Sequence, residues 1–478
     1  MSQRRLIYAV ITVAASEFVM GLWAGWPSWA LTKRPEADTP AEWLSRDDHS
    51  WAVASFDLAS LVSAWPASVL AERAGRKGCL LAVGTGLAAS FGVLYAPSRW
   101  AVFAARSLAG VCKSVAYASV PGFMAEISAD RARGRFNLIV VLSDSLGMVA
   151  ALSAGPRVGY AVMNGLSLAA ALAFLVAVFR VPETAHYLLS KSRLKEARSA
   201  LRWYRPRSTT ADNNRRLNCI TAAVRDDMRE PGTYRELFAD DGNRAAVLLV
   251  AGACFAQRAG GVGCVLAYST TTMPADGPVR PGDVAVVFAV VRLACTVAAV
   301  PLIDVYGRRP LLVGSHLALA AVTAAYALCL MPYNNNRDDD DGGGDRDRLP
   351  ADNNWGPSAC VVLFSVAYSM GAGIVPGALV GEMFPANVKS RAVTVVAVVS
   401  SLGSFLINKA YLPVGDAFGA YVMFFVFCAV NAAWTLLAYL FLFETKGMSL
   451  SAIQDHLNDY NSSSSSDSED GADRPPVG

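Results

Sequence analysis

Charged residues are scarce in this chain. They make up 17% of its 478 residues, whereas about a quarter is usual in a soluble globular protein. They are also clustered, so long apolar runs remain between the clusters. A run of roughly 20 apolar residues crosses the hydrocarbon core of a bilayer as a helix, because a helix satisfies its own backbone hydrogen bonds. The composition therefore excludes an ordinary soluble domain and predicts a multi-pass membrane protein.

Recognisable catalytic and cofactor motifs are also lacking. The sequence contains no nucleotide-binding loop, no residue cluster with metal-ligand spacing and no nucleophile beside a base. Its net charge is only +3, and most of its basic residues lie between the apolar runs. We therefore expect no enzyme, no cofactor, no metal and no nucleic-acid partner. The expected partners are a small-molecule substrate and the lipid bilayer, and the oligomeric state stays open.

No CxxC pair occurs among the nine cysteines, most of which lie inside apolar runs. An odd number of cysteines in such positions favours free thiols over a disulfide framework. No cleavable signal peptide is recognisable, so we expect the first apolar run to be retained as a span.

Twelve apolar runs are long enough to cross a membrane, six before and six after a long polar stretch. We therefore predict an all-α membrane protein with twelve transmembrane helices in two six-helix groups, residues 1–179 and 244–446, joined by a cytoplasmic helical linker at 180–243. The runs lie near residues 6–31, 51–71, 78–97, 100–125, 136–155, 158–179, 244–272, 283–303, 310–331, 355–382, 392–412 and 418–443.

The polar segments differ in character. In the linker, Leu194, Ala197 and Leu201 fall at helical spacing and predict a small amphipathic helix. Residues 332–354 are rich in Asn, Asp and Gly, and the segment 447–478 is rich in Ser and Asp. Neither can bury a core, so we expect a disordered acidic extracellular loop and a disordered cytoplasmic tail.

The short loops indicate the orientation. With the N-terminus inside, most Lys and Arg residues of the short loops lie on the cytoplasmic side, as the positive-inside rule requires. We expect a multi-pass plasma-membrane protein with both termini in the cytoplasm.

The two groups of runs share sequence motifs. Glu72–Lys77 reads ERAGRK, Asp304–Arg309 reads DVYGRR, and each lies between two membrane-length runs. Two further pairs recur in the same order, and an insertion the size of residues 332–354 accounts for most of the change in their separation. Such internal repeats mark many transporter folds. The further pairs are Glu126-Ile-Ser with Glu382-Met-Phe, and Val181-Pro-Glu-Thr with Phe443-Glu-Thr.

These motifs, with PETAHYLL and FETKGMSL, resemble the sugar porter family of the major facilitator superfamily. The stretch Gly25-Trp26-Pro27 is similar to the first helix of the arthropod facilitated trehalose and hexose transporters. The resemblance implies two pseudosymmetric six-helix bundles, the major facilitator fold, with a central sugar site and alternating access. Proton-coupled relatives carry an Asp where this chain has Pro27, so we expect facilitated diffusion.

The resemblance also implies a cytoplasmic gating network of charged residues. Arg76 and Arg308 offer forked donors that a carboxylate can accept on two oxygens. Solvated charges that only set the topology are the alternative interpretation. The network is expected to comprise Glu72, Arg76, Arg106, Glu126, Arg133, Glu183, Asp304, Arg308, Glu382, Arg391 and Glu444.

The expected sugar site departs from the family pattern. Gln257 and Tyr268 match polar positions of the seventh helix, whereas Arg258 stands where relatives carry a second Gln. An interhelical hydrogen bond for Gln257 and simple packing for Tyr268 are the alternatives to ligand binding. We assign the candidate substrate-binding residues to Gln257, Arg258, Gly263, Tyr268, Arg292, Gly377 and Asn408.

Three functions fit these departures. The first is a sugar carrier with an altered preference. The second is a carrier of an anionic or phosphorylated sugar-like solute, with Arg258 and Arg292 as counter-charges. The third is a sugar sensor that does not transport.

Several further charges fall within the spans, where each is costly unless it is paired or functional. Arg106 and Lys113 are two helical turns apart, so we expect acids such as Asp57 or Asp144 to pair with them.

Overall fold

The computed structural model of the protein describes residues 3–32, 39–40, 44–128, 133–205, 209–229, 232–273, 279–338, 355–448 and 452–458. Within these residues every regular element is a helix. Eleven of the helices are long and apolar enough to cross a membrane. One of them, Arg46–Val93, is divided at Gly75, where the backbone leaves the helical conformation. It supplies two spans, which confirms the predicted all-α membrane protein with twelve spans.

The spans are numbered in chain order, with spans 1–6 forming the N-half and spans 7–12 the C-half. Spans 1 to 6 are Gln3–Ala30, the two arms of Arg46–Val93, Arg99–Ile127, Arg133–Ala154 and Tyr160–Phe179. Span 7 comprises Asp241–Gln257, Arg258–Val262 and Gly263–Thr272, and spans 8 and 9 are Pro281–Tyr306 and Arg308–Asp338. Span 10 comprises Gly356–Ala367, Tyr368–Ala372 and Val375–Glu382, and spans 11 and 12 are Ala386–Phe418 and Ala420–Phe441.

Four further helices lie between spans 6 and 7, namely Ala185–Ser190, Leu194–Tyr204, Thr210–Arg229 and Tyr234–Ala239. In the second of them Ala197 and Leu201 are buried, as their spacing predicts, whereas Leu194 is 50% exposed. The apolar face therefore begins one turn later than the sequence pattern indicated.

Each half packs largely on itself, and three pairs of spans make most of the contacts between the halves. Span 1 packs on span 5 within the N-half, and span 9 packs on span 12 within the C-half. Across the middle, span 1 meets span 7, span 2 meets span 11, and span 5 meets span 8. Gly147 allows spans 1 and 5 to approach closely, since a Cβ at this position would lie 1.9 Å from the carbonyl oxygen of Phe18. Small residues permit such contacts between membrane helices.

Two widened helical turns face each other inside the C-half. Span 7 has a π-helical turn at Arg258–Val262, and span 10 has one at Tyr368–Ala372. The side-chain amide of Gln257 joins them, donating to the carbonyl oxygens of Ala372 (2.7 Å) and Gly373 (3.1 Å). Such turns are rare and occur frequently at functional sites.

Two segments expected to be disordered are helical in part. Span 9 continues to Asp338, and residues 339–354 lie outside the described residues. In the expected tail, residues 452–458 form a helix whose Ile453 and Leu457 are buried, 2% and 3% exposed. These two side chains are four residues apart and share one apolar face. The helix can therefore pack through that face, which the expectation of disorder overlooked. Gln454 also donates to the carbonyl oxygen of Met383 over 2.8 Å.

The repeated motif has a repeated backbone conformation. Gly75 ends span 2 with φ 78° and ψ 178°, and Gly307 ends span 8 with φ 92° and ψ 177°. This combination of φ and ψ angles is essentially confined to glycine. A Cβ would also lie 2.4 Å from a carboxylate oxygen, that of Glu183 at Gly75 and that of Glu444 at Gly307. Both turns therefore require glycine for conformation and for space.

Replacing either turn glycine with alanine should destabilise the protein by about 1–3 kcal/mol, because the backbone becomes strained and the carboxylate must move. Thermal unfolding of Gly75→Ala and Gly307→Ala in detergent micelles would measure this. Gly314→Ala is the matched control, since that glycine lies within span 9 and no atom is within 4 Å of its added Cβ. A turn variant as stable as the control would contradict the account.

Candidate functional site

Each glycine turn is capped by a glutamate that follows the last span of the same half. The break at each glycine leaves backbone N–H groups unpaired at the start of the next span. Glu444 accepts from the N–H groups of Arg308 (2.9 Å) and Arg309 (3.1 Å). Glu183 accepts from the N–H group of Lys77 over 3.0 Å. A negative charge at a helix N-terminus is also favoured by the helix dipole.

The turn arginines connect the neighbouring spans. Arg76 donates through Nε to Glu126 (3.0 Å) and through a terminal nitrogen to the carbonyl oxygen of Ala71 (3.1 Å). In the C-half, Arg308 repeats both bonds, to Glu382 over 2.8 Å and to the carbonyl oxygen of Ile303 over 3.3 Å. Each arginine thus holds together the end of one span and the end of the span two further along. We call the two clusters the glycine-turn networks.

Burial raises the pKa of Glu183, and the N–H groups of Thr184 and Lys77 oppose this shift by stabilising the carboxylate. Burial therefore favours the neutral carboxyl group, whereas the two N–H donors favour the charged carboxylate.

Other expected members of the gate are placed differently. Asp304 is 78% exposed and lies 3.7 Å from Arg308, so its contribution is small. Glu72 does not pair with Arg76, and its carboxylate instead accepts from Ser390 of the C-half at 3.4 Å. Among the described residues Arg391 has no carboxylate partner, because Glu382 is occupied by Arg308. The side chain of Arg133 lies outside the described part of the structure.

Arg106 is not part of either network. It is 3% exposed, in the middle of span 4. Its guanidinium donates to the carbonyl oxygens of Ala52, Val53 and Trp23, and lies 4.6 Å from the ring centre of Phe56. These bonds join spans 1, 2 and 4.

The middle of the N-half contains an ion pair with a third partner across the interface. Lys113 of span 4 donates to Asp57 of span 2 over 2.9 Å, which is one of the pairings the sequence predicted. The other oxygen of Asp57 accepts from the amide of Asn408 in span 11 over 2.7 Å. Asp57 is 4% exposed, so the carboxylate is satisfied by one residue from each half.

A second ion pair, only partly buried, joins spans 5 and 8. Arg292 donates to Asp144 over 3.1 Å, and it also contacts the sulfur of Met148 at 3.3 Å. The sequence placed Arg292 in the substrate site, whereas the structure shows its charge balanced by Asp144 of the other half.

Several predicted ligands are engaged in bonds within the protein. The amide nitrogen of Gln257 is used by the widened turn of span 10. Tyr268 is 3% exposed, stacks on Tyr411 at 4.9 Å and donates to the backbone oxygen of Asn408. Gly263 lies against Asn408, since a Cβ there would be 2.9 Å from the amide oxygen. These contacts match the interhelical interpretations of Gln257 and Tyr268.

Gly377 and Arg258 are the two remaining predicted site residues. No atom lies within 4 Å of a Cβ added at Gly377, so this glycine borders open space. Arg258 is partly exposed, and electrostatic interactions reach it from Tyr368 of its own half and from Asp57 and Tyr117 of the N-half. Its guanidinium is therefore placed near residues of both halves.

Other polar contacts could not be located from the sequence. Ser60 of span 2 bonds Ser114 of span 4 (3.0 Å) and Ser401 of span 11 (3.1 Å). His316 bonds Asn431 at 2.8 Å, between spans 9 and 12. Serines are common in apolar spans, and only the periodicity of the helix faces could have indicated these contacts.

At the end opposite the glycine turns, three exposed ion pairs connect the halves. They are Arg46 with Asp416, Lys409 with Asp47, and Arg157 with Asp283. At the glycine-turn end, the described residues form no ion pair between the halves, and the networks are each internal to one half. The halves are thus more firmly joined at one end than at the other.

Solved structures of known transporters share this architecture. The proton:xylose symporter XylE bound to 6-bromo-6-deoxy-D-glucose superposes with a TM-score of 0.73 and 16% identity, covering 96% of this chain and 100% of that chain. The inward-open xylose transporter XylE from E. coli gives 0.72 and 16%, covering 94% and 99%. The protein therefore has the major facilitator superfamily fold, as predicted.

The sequence defines the family within this fold. The profile of the Sugar (and other) transporter family matches residues 27–457, so the chain belongs to that family. Its relatives include the facilitated trehalose transporters Tret1 of Drosophila yakuba and Anopheles gambiae. Each is 25% identical, over 450 and 451 residues, and each match covers 94% of this chain. This confirms the predicted resemblance. The family and these relatives are transporters rather than enzymes.

The chain spans about half the length of the curated relatives it matches, 51% of the Drosophila yakuba protein and 55% of the Anopheles gambiae protein.

The buried pair of Asp57 and Lys113 gives a direct test of the site. Lys113→Met leaves the carboxylate without its cation and should cost about 3–5 kcal/mol, because an uncompensated buried charge is strongly unfavourable. Adding Asp57→Asn removes that charge and should restore most of the stability. Thermal unfolding of the single and double variants in detergent measures both effects. Equal stabilities for the two variants would show that the pair is not coupled.

Proposed function

We propose that the protein carries a sugar, trehalose or a hexose, across the plasma membrane by facilitated diffusion through alternating access. The proposal rests chiefly on the paired glycine-turn networks. Each network ties the ends of several spans within one half and leaves the other half untouched. Such an arrangement allows each half to move as a unit, which rocking about a central site requires.

The proposed domain boundaries follow the same division. Residues 1–179 and 244–446 are the two moving bundles, and residues 180–243 are the linker that joins them. Both termini and the glycine-turn end are assigned to the cytoplasm, because the basic residues of the short loops concentrate there.

The uneven connection of the halves supports alternating access. Three ion pairs join the halves at the proposed extracellular end, and the networks at the proposed cytoplasmic end do not cross between them. A carrier whose cavity faces the cytoplasm needs this distribution. The opposite state requires the extracellular pairs to separate, which costs little because exposed ion pairs contribute about 0–1 kcal/mol each.

Two features support movement without proton coupling. Pro27 occupies the position where proton-coupled relatives carry an acid, and it lies inside the helix of span 1. The trehalose transporters that resemble this chain are named as facilitated transporters.

Uptake into proteoliposomes tests the proposal. We expect saturable uptake of labelled trehalose or D-glucose down its gradient, accelerated by the same unlabelled sugar on the opposite side. The rate should be unchanged by a protonophore or by an imposed pH gradient. Empty liposomes give the background. Saturable binding without flux would favour a sensor, and loss of uptake with the protonophore would indicate proton coupling.

The glycine-turn network should control the rate of transport rather than the affinity for substrate. Glu382→Gln weakens the bond to Arg308 and should lower the maximal uptake rate at least five-fold, with little change in the half-saturating sugar concentration. Glu196→Gln is the matched control, since that carboxylate forms an exposed pair with Arg193 in the linker. Equal uptake rates for the two variants would remove the network from the transport cycle.

A further inference from the structure

The charged residues within the spans do not balance. Away from the charged clusters at the two ends of the molecule, three carboxylates face four cations within the spans, so one positive charge remains if every carboxylate is ionised. The residues are Glu17, Asp57 and Asp144 on the acidic side and Arg106, Lys113, Arg258 and Arg292 on the basic side.

Three of the four cations have identified partners. Lys113 pairs with Asp57, Arg292 pairs with Asp144, and Arg106 donates to three carbonyl oxygens. Within the part of the chain that the structure describes, the guanidinium of Arg258 has neither a carboxylate nor a hydrogen-bonding partner. A cation in the middle of a membrane protein is costly without a partner and is usually functional.

The position of Arg258 points to a ligand between the halves. The residue begins the widened turn of span 7, five residues before Gly263, which lies against Asn408, the partner of Asp57 across the halves. Lys113 bonds the same Asp57, and its side chain is nevertheless 26% exposed well inside span 4. The packing between the halves is therefore incomplete beside this cluster.

The groups that would bind a neutral sugar are largely occupied. The amide nitrogen of Gln257 donates to two backbone oxygens, and that of Asn408 donates to Asp57. What remains is the unpartnered guanidinium of Arg258, with the ammonium of Lys113 and the hydroxyl of Tyr117 near it. Guanidinium groups bind carboxylate and phosphate through paired, charge-assisted hydrogen bonds.

We infer that the preferred solute is a hexose derivative bearing one anionic group, a carboxylate or a phosphate, which Arg258 binds between the halves. Lys113 remains paired with Asp57 and adds positive potential without direct bonding. Arg292 is excluded from this role, because Asp144 neutralises it. The inference rests on the proposed transport function and specifies its substrate class.

Binding to the purified full-length protein tests the inference independently of transport. The probes are D-glucuronate and D-glucose 6-phosphate as the two anion sources, D-glucose as the neutral comparison, and chloride as a simple anion. Ligand-induced thermal stabilisation gives apparent affinities. We expect at least one hexose anion to bind at least ten-fold more tightly than D-glucose.

Variants of Arg258 identify the group responsible. Arg258→Gln should reduce the affinity for the hexose anion at least ten-fold, to the level of D-glucose, whereas Arg258→Lys should retain most of the preference because it keeps the charge. Arg202→Gln in an exposed position of the linker is the control for loss of one arginine. A folded Arg258→Gln protein that still prefers the anion overturns the inference.

The outcomes separate the two proposals. If D-glucose is bound and transported as well as either hexose anion, or if chloride stabilises as strongly as they do, the anion site is wrong and sugar transport stands. If a hexose anion binds through Arg258 but no sugar crosses the proteoliposome membrane, the anion site stands and the transport proposal fails.

Discussion

A charge inside the hydrocarbon region must be given partners by the protein, and this constraint organises the middle of the molecule. Asp57 and Lys113 satisfy each other, Asp144 and Arg292 do the same, and Arg106 is satisfied by carbonyl oxygens. The partners come from different spans, so the same bonds that lower the cost of the charges also fix the arrangement of the helices. Arg258 is the cation to which the described residues offer no such bond.

The same principle acts on backbone groups at the helix breaks. Ending a helix at Gly75 or Gly307 leaves backbone N–H groups without helical partners, and a glutamate that follows the last span of the same half accepts them. The arginine after each glycine then binds a second glutamate. Three separate sequence motifs in each half are thereby brought to one place, which accounts for their occurrence as a set in both halves.

Much of this could be predicted from the sequence. Apolar run lengths gave the spans, and the repeated motifs indicated the turn glycines and the arginines with their glutamates. The detailed pairing was less accessible. Glu126 and Glu382 bind Arg76 and Arg308, which are distant in sequence, because helix packing brings distant spans together. The roles of Gln257 and Arg292 depend on which face of a helix they occupy and on the widened turns. Periodicity could not supply that information, since a π-helical turn shifts the facing of the residues after it.

The carboxylate of Asp57 has one oxygen bound to its own half and the other bound to Asn408 of the opposite half. Any movement that separates spans 2 and 11 therefore breaks the bond to Asn408 and leaves one carboxylate oxygen of Asp57 without a partner, while the ion pair with Lys113 stays intact. The bond between Asp57 and Asn408 therefore contributes both to the thermostability of the protein in this orientation and to the energy barrier between its two orientations. A change at Asn408 that weakens the fold would at the same time shorten the dwell time of the carrier in this orientation.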